Sequence, residues 1–364
     1  MERGVEALAA RKNDVAAKCF GEVIRSNPKM AAAYTGRGIA YHEKGEYDKA
    51  IQDFNTTLRL DPNSASAYMA RGASFSQKKN YDRALPDYDR SIQLDSSVGA
   101  AFGGRGFVYD MRGEDDKALA DYSRAVRLDP GNASALGNRG TIYNEKGEYD
   151  RAIEDFNSAL RLQPHDPAHY LNRGLAYNRK GDYDKAIADY TTAIRLNPTG
   201  AIAYGNRAGA YVRKGEYARA IADANVSLAR LAKNPVAYRA RGNAYYSMHN
   251  YAQAIADSNA ALRLGSKDWQ IDNNLAWYLA TSPEKRLRDG RKALALANEA
   301  LRLSHNRESE VFSTMAAANA ELGNFAEAVK WQERCLQSGK VNRKERAEGQ
   351  LALYRNGRPF REER

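Results

Sequence analysis

Apolar and polar positions follow the spacing of short amphipathic helices along this chain, and the pattern returns every 34 residues. In one copy, the stretch 183–196 places five apolar residues at i, i+3, i+4 and i+7 spacing: Ala186, Ile187, Tyr190, Ala193 and Ile194. The stretch before it carries a shorter stripe, and Gly181 stands between the two in the place of a left-handed helix cap. Each repeat therefore predicts two helices joined by a tight turn, whose apolar faces must be covered by neighbouring repeats.

The register of the repeat is unbroken over residues 31–268, where seven regular repeats begin at 31, 65, 99, 133, 167, 201 and 235. Residues 1–30 resemble a repeat without its first positions, which suggests a truncated start or an unusual cap. Residues 269–308 predict a divergent repeat with about five extra residues between its helices, and 309–342 return to regular spacing. Residues 343–364 predict a capping helix, from about Asn342 to Tyr354, and a loose tail.

One repeat, residues 65–98, departs from the others in its turn and its second helix. Lys79 replaces the turn glycine, and Pro86 lies inside the second apolar stripe, where it removes a helical hydrogen bond. Two interpretations stay open: a softer joint in the array, or a harmless variant near the start of the helix.

The residues at fixed places in each copy resemble the signature of the tetratricopeptide repeat (TPR). The family has a large residue at position 4, Gly or Ala at 8, Tyr at 11, Ala at 20, an aromatic at 24, Ala at 27 and Pro at 32. The repeat at 167 matches with Tyr170, Gly174, Tyr177, Ala186, Tyr190, Ala193 and Pro198. The resemblance implies an all-α, right-handed superhelix of about ten helix-turn-helix repeats with a C-terminal capping helix, similar to bacterial multi-TPR proteins.

Charge is unevenly distributed over the 364 residues, whose formal net charge is +11. Counting Lys and Arg against Asp and Glu gives −1 for residues 1–166, +10 for 167–308 and +2 for 309–364. No apolar run is long enough to span a bilayer, so no membrane insertion is expected. The first residues lack the apolar stretch of a signal peptide. A full-length chain would be cytoplasmic, whereas a chain whose signal was removed could be periplasmic or secreted.

Candidate catalytic and metal chemistry is sparse. The five histidines form no metal-binding motif with the two cysteines, and His165 and His169 are separated by Pro167. Phosphate-binding glycine loops and nucleophile elbows are absent from the sequence. We therefore expect no enzyme activity, no cofactor and no metal.

A paired arginine and aspartate recurs in addition to the residues of the repeat signature. Position 7 is Arg and position 23 is Asp in all seven regular repeats, and both vanish in the irregular ones. In antiparallel helices of this length the two positions lie at similar heights, which predicts a charge-assisted contact. A structural ladder is favoured over a site for an acidic partner, because each arginine comes with a carboxylate. The ladder comprises Arg37, Asp53, Arg71, Asp87, Arg105, Asp121, Arg139, Asp155, Arg173, Asp189, Arg207, Asp223, Arg241 and Asp257.

The second candidate is a binding groove, which the resemblance places on the concave face of the first helices. Asn138, Asn172 and Asn206 occupy position 6 of three successive repeats, and an amide offers both a donor and an acceptor to an extended backbone. Glycines nearby, including Gly104, Gly137 and Gly205, leave room for close approach. Simple tolerance of asparagine on an exposed helix is the alternative. The same face carries three basic residues farther along: Arg179, Arg213 and Arg239.

These observations favour a non-catalytic scaffold that binds a protein or an extended peptide, with an acidic segment drawn to the basic part of the groove. The pI near 9.4 keeps a nucleic-acid-binding scaffold open as an alternative, although net charge alone is a weak signal. A regulatory TPR part of a larger enzyme or complex is a further alternative.

Overall fold

The computed structural model describes residues 1–305, 308–338 and 344–362, and throughout these ranges the regular structure is helical, with no strand. The chain begins with α1 (Glu2–Ala9) and α2 (Asn13–Ser26), the pair predicted as a partial repeat. The seven regular repeats then supply the helices α3 (Ala31–Glu43), α4 (Tyr47–Leu60), α5 (Ala65–Gln77), α6 (Tyr81–Leu94), α7 (Gly99–Met111), α8 (Asp115–Leu128), α9 (Ala133–Glu145), α10 (Tyr149–Leu162), α11 (Pro167–Lys180), α12 (Tyr183–Leu196), α13 (Ala201–Lys214), α14 (Tyr217–Arg230), α15 (Pro235–Ser247) and α16 (Tyr251–Arg263).

The irregular repeats follow in the same helical pattern. They comprise α17 (Trp269–Thr281), a 3₁₀ turn (Lys285–Leu287), α18 (Gly290–Leu303), α19 (Ser309–Glu321), α20 (Phe325–Gln337) and the final helix α21 (Lys344–Arg355). The all-α expectation of about ten helical pairs and a closing helix is therefore confirmed. The 3₁₀ turn lies within the insertion predicted between the helices of the divergent repeat.

Two compact units divide the chain, and each is described by itself. The N-terminal half is Met1–Asn172 and the C-terminal half is Arg173–Arg364, so the boundary falls within α11.

In the N-terminal half, small residues of one helix receive an aromatic ring of the next. A Cβ built on Gly38 would lie 2.7 Å from the Phe54 ring, and Phe54 is completely buried. Asn132 caps α9, because its side-chain oxygen accepts the backbone N–H of Ala135 at 2.9 Å. Glycine at the turn takes positive φ, as at Gly147 with φ 80°. The repeat signature thus specifies both the helix ends and the close approach of the two helices.

Pro86 lies inside α6, which continues from Tyr81 to Leu94 without interruption. The turn before it is left-handed at Lys79, with φ 57°, so a lysine adopts the conformation that glycine provides in other repeats.

In the C-terminal half, the divergent repeat replaces ladder positions by apolar residues. Leu275 and Met315, at position 7, are 0% and 3% exposed, and each belongs to an apolar cluster between α17, α18 and α19. Where the aspartate is missing, an apolar residue therefore replaces the arginine and packs in a hydrophobic cluster.

The expectation of a loose tail after α21 is wrong for the described residues. Arg358–Glu362 returns to α17, where the Glu362 backbone N–H donates to the Thr281 carbonyl at 3.0 Å. Phe360 packs beside the buried Tyr354. We call Arg358–Glu362 the return segment. An aromatic ring in an otherwise polar and largely charged decapeptide was the only sequence signal for this packing.

Candidate functional site

The seven arginines at position 7 each make two hydrogen bonds to the aspartate sixteen residues later. In every pair, Nε donates to one carboxylate oxygen and Nη2 to the other, at 2.6–2.9 Å. The aspartates are 5–8% exposed. Such parallel bonds fix the planar guanidinium and satisfy a carboxylate that burial would otherwise penalise. The pairs are Arg37–Asp53, Arg71–Asp87, Arg105–Asp121, Arg139–Asp155, Arg173–Asp189, Arg207–Asp223 and Arg241–Asp257.

The remaining guanidinium nitrogen, Nη1, reaches the preceding repeat, which the sequence reasoning missed. Arg105 Nη1 donates to Asp89 at 2.6 Å, and Arg139 Nη1 donates to Ser123 at 3.3 Å. Corresponding bonds join Arg71 to Asn55, Arg207 to Thr191 and Arg241 to Asn225. The overlooked signal was a polar residue sixteen positions before every ladder arginine except Arg37, where that residue is Gly21. One guanidinium thus ties both helices of its repeat to the repeat before it.

Electrostatics agree with this geometry. The hydrogen bonds to Asp121, above all, raise the pKa of Arg105, while burial opposes the rise and Asp89 adds to it. The same hydrogen-bonded carboxylate raises the pKa of Arg37. These guanidinium groups are occupied within the chain, and their net charge toward a partner is matched by the buried aspartates.

A second, exposed series of ion pairs joins adjacent repeats at a spacing of thirty residues. Lys146 Nζ lies 2.8 Å from Asp116, and Lys214 Nζ lies 2.5 Å from Asp184. The aspartate side chains are 90% and 81% exposed, so solvent screens these pairs and each contributes little to stability.

The asparagines predicted to line a groove lie on first helices, partly buried. In the N-terminal half, the Asn138 amide nitrogen donates to the Tyr122 hydroxyl at 3.2 Å, which occupies one of its two donors. Asn172 is half-buried in the same unit, and Asn206 is half-buried in the C-terminal half.

Two of the predicted groove arginines in the C-terminal half are exposed, and the third is paired within the chain. Arg179 and Arg213 lie at the ends of α11 and α13 with exposed side chains. Arg239 Nε lies 3.1 Å from Asp268, and the Arg239 guanidinium also donates to Gln270. Asp268 is the last residue of the seventh regular repeat, a position whose residue type varies among the repeats, so the 34-residue period gave no sign of this partner.

The glycines expected to leave room for a ligand face side chains of the protein instead. A Cβ on Gly137 would lie 2.6 Å from the His169 ring, and one on Gly205 would lie 2.9 Å from the Asn234 amide. A Cβ on Gly104 would lie 2.4 Å from the Tyr88 ring. The expectation of open space at these glycines was wrong, because their missing side chains accommodate internal packing.

An open cleft of about 130 Å³ lies in the C-terminal half, where α13, α15, α17 and α19 all contribute to its wall. Arg213 and Arg239 stand beside the amides of Asn243, Gln270 and Asn274, with Glu310 on the far helix. Such a surface combines apolar stems, amide donors and acceptors, and both signs of charge. It suits a polypeptide segment better than a small apolar ligand.

Metal sites and membrane spans are both lacking in the part of the chain that the structure describes. It holds no group of three or more His, Cys, Asp or Glu residues arranged to bind a metal ion. No described helix is both long and apolar enough to cross a membrane.

Comparison with known proteins agrees with the repeat geometry. Two family models, both described as "Tetratricopeptide repeat", match the chain. One matches residues 1–65, 43–99 and 112–167, and the other matches residues 141–205. Together the matches cover just over half of the chain. The chain belongs to the tetratricopeptide-repeat proteins. No curated protein gives a significant match.

Solved structures show the same fold. A tetratricopeptide repeat protein from Parabacteroides merdae aligns at 22% identity over 67% of this chain and 97% of its own, with a TM-score of 0.50. The Cut9–Hcn1 hetero-tetramer of the APC/C aligns at 15% identity over 97% of this chain and 89% of the matched one, with a TM-score of 0.56. At these identities the likeness is one of fold alone.

Proposed function

We propose that this protein is a non-catalytic scaffold that binds an extended peptide or protein segment along the face formed by the first helices of its repeats. The observation that carries the proposal is the cleft in the C-terminal half, to which four successive first helices contribute. Repeats that stack in this way supply a surface longer than any single helix pair, and ligand choice rests with the residues outside the repeat signature.

Asn138, Asn172 and Asn206 are proposed as contacts to the partner's backbone. An asparagine amide pairs equally well with the N–H or C=O of any peptide. Arg179, Arg213 and Arg239 are proposed to favour acidic segments. Arg179 and Arg213 are exposed, whereas the Arg239 charge is already balanced by Asp268.

Nucleic acid is a weaker candidate for this surface. Seven of the arginines that make the chain basic are bonded to buried aspartates, so they add no net positive charge for phosphates.

The test is a titration of two fluorescent, extended peptides of equal length, one acidic and one neutral, at two salt concentrations. Arg179→Glu with Arg213→Glu should weaken the acidic peptide about tenfold or more and reduce its salt dependence, since exposed charges are screened by salt. Asn138, Asn172 and Asn206 changed together to Ala should weaken both peptides to a similar degree.

Arg195→Glu is the matched control, because Arg195 is exposed on α12, a second helix. It introduces, away from the proposed face, the same change of charge as each of the two groove substitutions, so the single variants Arg179→Glu and Arg213→Glu are compared with it. If the control weakens the acidic peptide as much as the groove variant does, binding follows net charge and the groove assignment is wrong.

A further inference from the structure

The return segment, Arg358–Glu362, occupies a built polar pocket in the C-terminal half. Trp277 Nε1 donates to Glu362 Oε1 at 3.0 Å. The Tyr246 hydroxyl and the Arg346 guanidinium contact the same oxygen. Three donors from α15, α17 and α21 thus converge on one carboxylate oxygen, and the Glu362 side chain is only 15% exposed.

The donors also contact one another and a neighbouring aromatic ring. Trp277 Nε1 also lies 2.7 Å from the Tyr246 oxygen, and the Tyr246 ring stacks on Tyr278 with centroids 4.4 Å apart. Burial, followed by the charge of Glu362, raises the pKa of Tyr246, so its phenol remains a donor at neutral pH. Rigid aromatic donors of this kind lose little entropy when they bind a ligand.

Phe360 supplies an apolar anchor two residues before the glutamate. Its ring lies 5.9 Å from that of Trp277, and the Arg346 guanidinium stands over it at 5.1 Å. Arg346 therefore contacts both the aromatic ring and the carboxylate. Residues i and i+2 of an extended segment point to the same side, which makes an aromatic-x-acidic sequence the natural match for this pocket.

Among the described residues, none fills the space beside the return segment. A cavity of about 240 Å³ is bounded by the pocket residues Tyr246, Trp277 and Arg346 and by Glu362 itself. Asn273 also lines it, and the Asn273 side-chain oxygen is buried without a hydrogen-bond partner, with the residue 6% exposed. A buried acceptor without a donor is costly, and a peptide N–H would satisfy it.

This cavity adjoins the proposed peptide-binding cleft, since Asn274 and Glu310 stand in the walls of both. A longer peptide that runs through the cleft could place its own carboxylate in the pocket.

We propose that the Tyr246–Trp277–Arg346 pocket is the receptor for a partner peptide that carries an aromatic residue two positions before a glutamate or aspartate, and that the return segment competes for it in cis. The inference deepens the proposed function, on which it rests for the existence of a peptide partner, by naming the recognised chemistry. A short tether holds the competitor at an effective concentration on the order of millimolar, so only a partner of better fit or greater length displaces it.

The experiment measures fluorescence anisotropy of a labelled Gly-Arg-Pro-Phe-Arg-Glu peptide, the sequence of residues 357–362, with full-length protein. Phe360→Ala together with Glu362→Gln should release the pocket and tighten the peptide about tenfold relative to the natural chain, because the cis competitor is removed. In that released background, Trp277→Phe should weaken the peptide about tenfold, and a peptide with Gln in place of Glu should bind equally weakly.

Glu345→Gln is the control, because this exposed glutamate on α21 lies outside the pocket and its loss should leave affinity unchanged. If the double variant fails to fold by circular dichroism, Glu362→Gln alone provides the same comparison. Equal affinity for the natural and released proteins, or no binding to the released one, overturns the inference and leaves the return segment a structural contact.

The outcomes separate this inference from the proposed groove. Arg213→Glu in the released protein leaves the pocket intact, so a six-residue peptide should bind it unchanged. Binding of that peptide together with no effect of the groove variants on the longer peptides would retain the pocket and reject the groove. The opposite result would reject only the pocket.

Discussion

At the scale of single residues, the protein contains a buried carboxylate whose charge is not matched. Asp272, on α17, is 4% exposed, and burial together with the charges of Glu299 and Asp268 raises its pKa to about 6. In the unfolded chain the same group has an ordinary pKa of 3.8. The folded state therefore holds its proton more tightly, and the free energy of unfolding should rise as pH falls from about 6 to 4 on account of this group.

Asp272→Asn should remove that dependence. The neutral amide has nearly the same shape, so the variant should be about 1–2 kcal/mol more stable at pH 7.5 and about equal to the natural protein at pH 4. Urea unfolding at the two pH values measures the difference. Glu154→Gln, at an exposed site on α10, is the matched control, and a gain of similar size in both variants would refute the assignment to Asp272.

The left-handed turn at Lys79 offers a second test at this scale. Lys79→Gly should stabilise the protein by about 0.5–1 kcal/mol, because glycine adopts φ near 57° without the steric cost borne by lysine. Gly147→Ala, at the equivalent turn with φ 80°, should destabilise it by about 1 kcal/mol. Thermal denaturation compares both. A loss of stability in Lys79→Gly would show that the lysine side chain contributes more than its backbone strain costs.

At the scale of elements, the arginine ladder connects neighbouring helices by hydrogen bonds. The period of the sequence by itself indicates only that these helices are neighbours. Arg139 on α9 bonds to Asp155 on α10 within its repeat and to Ser123 on α8 in the repeat before. Because the aspartate is 6% exposed, the pair acts as an internal connection, and loss of either partner leaves the other buried without a counter-charge.

Arg139→Met should lower the free energy of unfolding by about 2–3 kcal/mol, since Asp155 would remain buried and unpaired. Arg139→Met combined with Asp155→Leu should recover a substantial part of that loss, because apolar packing then replaces the ion pair, as Leu275 and Met315 do in the irregular repeats. Urea denaturation of the single and double variants gives the coupling. A double variant less stable than the single one would contradict this account.

At the scale of the whole molecule, the helices of the described residues pack mainly against helices of their own or adjacent repeats. Stability should then be close to a sum over repeats and their interfaces. The N-terminal half provides a direct test, because removal of residues 65–98 joins Ser64 to Gly99 and keeps every 34-residue relation in register. Arg105 would meet Asn55 in place of Asp89, and Gly104 would meet the Phe54 ring in place of Tyr88.

This deletion should leave a cooperatively folded protein with unchanged helical content per residue and a lower melting temperature, as measured by circular dichroism. Removal of residues 65–81, which is half a repeat, should abolish cooperative folding of the affected region, because apolar faces and ladder partners fall out of register. Equal tolerance of both deletions would contradict a strict nearest-neighbour architecture.

The sequence by itself determined the helices, their order and the residues that meet across a repeat. A fixed period makes each local solution recur, so the spacing of sixteen between Arg and Asp and the glycine at each turn could be read without coordinates. The start of every regular first helix, from Ala31 to Pro235, agrees with the predicted register. The groove asparagines were also found in this way, and their binding role stays a prediction.

Only the tertiary structure decided the contacts that break the period. Arg239 meets Asp268, His169 fills the space at Gly137, and Glu362 reaches Tyr246 from 116 residues away. None of these pairs recurs, so no second copy in the sequence reveals it. Each depends on which donors and apolar surfaces lie close together in space rather than on spacing along the chain.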